Sequence, residues 1–156
     1  MPVKSYEQLV EEVKASVGDQ VEALIDKGLC EYDDRFYGFL EVYAMARDFT
    51  PEGWHVVDLG GYIGAQAALF EGICASYTCV DPKPGPRVQL PFVRHFYGTS
   101  EEYILKNPGV LYQPDTMCIC SCNPDRFSQR ACLAFDNHVM VYPGVRSSVQ
   151  GVRSVV

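Results

Sequence analysis

The chain of 156 residues has room for one core and little more, so a single domain over 1–156 is expected. With 47% apolar and 21% charged residues it has the make-up of a folded globular protein, and its longest apolar runs, 65–70 and 116–122, fall far short of the ~20 residues of a membrane helix. The net charge of −7 is concentrated in residues 1–50, which hold 11 acidic and 5 basic side chains, a field that disfavours a broad grip on nucleic acid.

The first residues, Met1 to Glu7, contain no apolar signal core and include an early acid, so an intracellular, cytoplasmic location is expected. In such a setting the seven cysteines, an odd set, read as buried reduced thiols and not as a disulfide framework. Residues 1–50 read as helices. Ser5 with Gln8 forms a capping-box pattern, and Tyr6, Leu9, Val10, Val13 and Val17 make one stripe before Gly18, where the first helix is expected to stop. Asp19 with Glu22 repeats the start signal for a shorter helix through Val21, Leu24 and Ile25 to Gly28. Asp33 or Asp34 caps a third, with the stripe Phe36, Phe39, Leu40, Tyr43 and Ala46 or Arg47, ended by the turn residues Thr50 to Gly53.

From Trp54 short apolar runs alternate with helix-like segments. The runs are 55–59, 77–80, 92–97, 116–121 and 139–142, and helices are expected over 62–71, 100–107 and 124–135. Continuous apolar strands alternating with helices indicate a parallel sheet covered on both faces. The segment 82–91 carries four prolines and reads as a loop across a sheet edge or over the site.

Between the first strand and the next segment lies Asp58-Leu59-Gly60-Gly61-Tyr62-Ile63-Gly64, a turn with three glycines. Backbone without Cβ admits a ligand closely, and the free N–H groups of a helix start are donors, so such a turn suits a nucleotide-like ligand. The second strand ends in Asp81, where an acid can accept both hydroxyls of a ribose. The dinucleotide glycine spacing fails, because Leu59 would occupy its first glycine.

This segment resembles motif I of the class I S-adenosylmethionine-dependent methyltransferases, with Asp58 as its acid, Gly60 as its first glycine, Gly64 as its last and Tyr62 in place of the usual middle glycine. The resemblance spans roughly residues 33–144 in order and spacing. It implies an α/β, Rossmann-like doubly wound, mostly parallel sheet of five or six strands in the order 3-2-1-4-5, with a core over 54–144, a helical segment before it and a tail at 145–156. It also implies S-adenosylmethionine as cofactor, held by Asp58, Gly60, Gly61, Tyr62, Gly64 and, through the ribose, Asp81, with Thr99 and Ser100 against the adenine. Thr99 and Ser100 read equally as a helix cap.

Asn123-Pro124 is similar to the start of the Asn-Pro-Pro-aromatic motif of amino-group methyltransferases, although Asp125 stands at the second proline and Phe127 is displaced by one. Asn123 and Pro124 are therefore the substrate-side candidates; they also read as a helix start. Cys118, Cys120 and Cys122 alternate along one strand face, too far apart to converge on a metal, and are read as core filling; His95 is read as a core or edge histidine. After Tyr142 only a short tail follows, so the domain is expected to be a shortened member of the superfamily. Its exposed sheet edge is suited to a second copy or a partner protein. The expected activity is methyl transfer to an unidentified acceptor; the alternative is a non-catalytic methyltransferase-like binding or regulatory module.

Overall fold

A computed structural model of the chain describes residues 4–30, 40–120 and 138–140. The capping box holds as expected: Gln8 N donates to Ser5 Oγ at 3.2 Å and Ser5 N to Gln8 Oε1 at 2.8 Å. From it helix α1 (Tyr6–Asp26) runs unbroken, which corrects the expectation of two helices separated at Gly18. The reason lies in the stripe. Leu9, Val13, Val17, Val21 and Leu24 are all buried, and their burial continues across Gly18, whose helix-interior penalty is only about 1 kcal/mol. Helix α2 (Leu40–Phe49) buries Leu40, Tyr43 and Ala46. Thr50 Oγ1 donates to Ala46 O at 2.7 Å, satisfying a carbonyl of the last turn before Pro51. The expected cap at Asp33 or Asp34, with Phe36 and Phe39, lies outside the described residues.

Four strands follow: β1 (His55–Leu59), β2 (Ser76–Asp81), β3 (Val93–Tyr97) and β4 (Thr116–Cys120). All pair in parallel, in the order β3-β2-β1-β4, with registers such as Asp58↔Cys79, Asp81↔Tyr97 and Leu59↔Cys120. The protein is therefore an α/β fold with an all-parallel sheet, as the alternating apolar runs imply. On one face Val56, Tyr77, Cys79, Met117 and Ile119 join the α1 and α2 stripes in the main core. On the other, Val57, Leu59, Val80, Cys118 and Cys120 pack with Tyr103 of helix α3 (Ser100–Lys106).

The link between β1 and β2 differs from the helix expected over 62–71. It is a short 3-10 segment, Ala65–Phe70, and all six of its residues are buried. Packed under both α1 and α2, it has no solvent side along which an amphipathic α-helix could run. The link 82–91 contains no helix or strand, as its prolines require, and it lies over the main-core side of β2 and β3: Val88 N donates to Ile63 O at 3.0 Å, and His95 Nε2 lies 2.6 Å from Val88 O. Among the described residues no helix is long and apolar enough to cross a membrane.

Candidate functional site at the strand tips

The order β3-β2-β1-β4 reverses direction between β1 and β4, and in open α/β sheets ligands gather beside such a point, at the carboxyl ends of the strands. Here that end is formed by the glycine turn and Asp81. Three residues of the turn are left-handed: Gly60 (φ 88°), Tyr62 (φ 56°) and Gly64 (φ 84°). Tyr62 thus adopts the conformation that a glycine would take without strain, at a cost of about 1–2 kcal/mol. What holds it is Asp81, whose Oδ2 accepts from Tyr62 N at 3.0 Å.

The turn is sewn onto the neighbouring strand. Gly60 N and Gly61 N both donate to Val80 O, at 2.7 and 3.1 Å, and Gly64 N donates to Gly61 O at 3.0 Å. Gly61 must be glycine for another reason: a Cβ there would overlap Cys79 Sγ and come 2.8 Å from Asp58 Oδ2.

Asp58 and Asp81 stand in different surroundings. Asp58 is 0% exposed. Its Oδ1 accepts from Tyr43 Oη at 3.0 Å, and its Oδ2 accepts from Gln66 Nε2 at 2.8 Å and from Tyr77 Oη in a very short bond. Gln66 Nε2 also donates to Gly61 O at 2.7 Å, so one amide links the buried acid to the turn above it. Burial pushes the Asp58 carboxyl up to about 6, against the opposing pull of those three donors. Asp81 is only half-buried. Its Oδ1 accepts from Lys83 N at 2.9 Å and its Oδ2 from Tyr62 N, so each oxygen keeps acceptor capacity.

The remaining sequence candidates are dispersed. Thr99 Oγ1 accepts from Glu102 N at 3.1 Å as the N-cap of α3, and Ser100, buried, is the first residue of that helix. Their cap reading is what the structure presents. Asn123 and Pro124 lie outside the described residues, as do Cys122 and the tail. Cys118 and Cys120 are buried in the smaller core, and among the described residues no three His, Cys, Asp or Glu side chains stand together as a metal site.

Sequence reasoning missed Arg87. Only 4% exposed, it donates from Nη1 to Phe96 O at 3.2 Å and from Nη2 to Asp81 O at 2.5 Å and Lys83 O at 2.8 Å, fastening the proline link to the tips of β2 and β3. Gln20 performs a similar task from α1: its Nε2 donates to Gln89 O at 2.9 Å and its Oε1 accepts from Gln89 N at 2.7 Å. Lys83 Nζ donates to Leu29 O at 2.6 Å and lies 5.4 Å from the Tyr62 ring centroid. The available signal was an arginine placed among four prolines, where no regular element competes for its donors. No family model matches the chain, and no curated protein does.

Proposed function

We propose that the protein is an S-adenosylmethionine-dependent methyltransferase of the class I superfamily whose cofactor lies over the tips of β1 and β2. One observation carries the reading: the glycine turn and Asp81 meet at a single point, 3.0 Å apart between Tyr62 N and Asp81 Oδ2, beside the place where the strand order reverses. The residues present fit such a compound at Asp81, whose carboxylate has spare acceptor capacity at a half-open position suited to a ribose diol. Gly60, Gly61, Tyr62 and Gly64 would shape the backbone surface beside it. Asp58, enclosed beneath that surface, would act as a positioning residue, holding the turn through Gln66.

When bound, the cofactor supplies an electrophilic methyl group on a cationic sulfur, so the protein chiefly has to align donor and acceptor and exclude water. We assign the acceptor side to the end of β4 and the segment after it, toward Asn123 and Pro124. We also propose the full strand order 3-2-1-4-5, with the fifth place taken by His138–Met140, an assignment supported by its parallel pairing with Cys118, Ile119 and Cys120.

A second reading has its own support. Gly60, Gly61, Tyr62 and Gly64 already donate their amides to protein acceptors, which suits a methyltransferase-like module that binds without catalysing. Titration calorimetry with S-adenosylmethionine and S-adenosylhomocysteine tests the first reading. Binding near micromolar strength, about −8 kcal/mol, that is lost in a folded Asp81→Ala variant is expected. A cooperatively melting wild-type protein that binds neither compound would leave only the non-catalytic module.

A further inference from the structure

Beside Asp81 stands an aromatic ring that neither the glycine turn nor the sheet core uses. Tyr97 ends β3 directly opposite Asp81 in register, so the two side chains leave the sheet on the same face. Phe96, the preceding residue, faces the other way and packs edge-on against Tyr103. Tyr97 is 52% exposed, a large aromatic left open at the carboxyl edge of the sheet.

Its position is nevertheless fixed. The Tyr97 hydroxyl donates to Gly85 O at 3.1 Å, and the Arg87 guanidinium lies over the ring with Cζ 3.9 Å from the centroid. Arg87 is itself immobilised by the carbonyls of Asp81, Lys83 and Phe96. A half-open ring held at its hydroxyl and backed on one face by a buried cation presents a flat surface with little conformational freedom left to lose on binding. The neighbouring Asp81 offers acceptors for a sugar diol, so the residues that carry the aromatic plane and the carboxylate are register partners on adjacent strands, whose backbones run about 4.8 Å apart.

We infer that Tyr97 is the stacking platform for the purine of a nucleoside whose ribose is held by Asp81, with Arg87 as the positioning residue that presents the ring. This rests on the nucleoside-binding reading of the crevice and adds to it the residue that selects a flat heteroaromatic base. It also moves the base contact from Thr99 and Ser100, which start α3, to the end of the strand before them.

The test uses the full chain, S-adenosylhomocysteine in calorimetry, and 2-aminopurine riboside, whose fluorescence is quenched when its base stacks. Tyr97→Ala is expected to weaken both ligands by about tenfold to a hundredfold, the range for one base stacked on one aromatic side chain. Tyr97→Leu, which keeps an apolar cover over Arg87 but removes the plane, should weaken them similarly. Tyr97→Phe should stay within about threefold of wild type and retain the quenching. Wild-type strength in both Tyr97→Ala and Tyr97→Leu, with binding still lost in Asp81→Ala, would overturn the inference and leave the cofactor reading standing. Quenching of the riboside that needs Tyr97, in a protein blind to both sulfur compounds, would uphold the nucleoside platform and overturn the cofactor reading. Absence of binding by every ligand to wild-type protein would overturn both.

Discussion

Asp58 has no cationic side chain within ion-pair distance among the described residues, so its charge at neutral pH is borne by the hydroxyls of Tyr43 and Tyr77 and the amide of Gln66. Burial is the dominant influence on it and raises the carboxyl from 3.8 to about 6. The native state therefore holds this proton more tightly than the unfolded chain does. The contribution of Asp58 to stability is complete below about pH 4 and is lost as the pH rises to about 6, a change of roughly 3 kcal/mol for a shift of this size. Asp58→Asn removes the titration but keeps the shape, since the Tyr43 hydroxyl can turn to accept from the new amide. Denaturant unfolding at a series of pH values should show wild type losing ground to Asp58→Asn between pH 4 and 6 and holding a constant difference above that. A difference independent of pH would mean that Asp58 is solvated or paired. The sequence made Asp58 legible as the acid of a glycine turn. It could not show that three donors, 8 to 19 residues away on other elements, enclose it, because such meetings are settled by packing.

At the scale of elements, strands were easier to read than their connections. A parallel strand buried on both faces leaves a continuous apolar run, and 55–59 and 116–120 stand out for that reason. In helix α1 the glycine at position 18 signals a stop locally, while the burial of Val17 and Val21 on either side carries the helix through it. The continuous helix through Gly18 has a measurable consequence. A Cβ at Gly18 would meet only the Lys14 side chain, Cβ at 3.4 Å and Cγ at 3.8 Å, ordinary contacts, and the backbone there is helical. Gly18→Ala should therefore stabilise the protein by about 0.5–1 kcal/mol by removing backbone freedom from the unfolded chain, seen as a melting point higher by a few degrees. A lower melting point would show that the helix does not accommodate the added methyl beside Lys14. The 3-10 segment Ala65–Phe70 was beyond sequence reading for the opposite reason: its composition suits a helix, and only its enclosure by α1 and α2 leaves room for so little.

At the scale of the molecule, the helices and the proline link both fasten to the edge where a ligand would lie: α1 through Gln20, the turn after it through Leu29, α2 through Tyr43, and the link through Arg87 and Val88. Under the proposed reading, occupation of the strand tips would stabilise the whole fold, because the ligand would bind only the native arrangement of these separate parts of the chain. Binding to the native state alone adds about 2.7 kcal/mol at a ligand concentration one hundred times Kd. For a chain of this length that corresponds to a rise of about 5–10 °C in melting temperature. S-Adenosylhomocysteine should produce such a rise in differential scanning calorimetry, growing with the logarithm of its concentration, and Asp81→Ala should flatten it. Free methionine should produce little, because it lacks the ribose and base that Asp81 and Tyr97 would hold. A rise of equal size in wild type and Asp81→Ala would move the ligand away from β2, and the convergence of elements on this edge would then serve the fold alone.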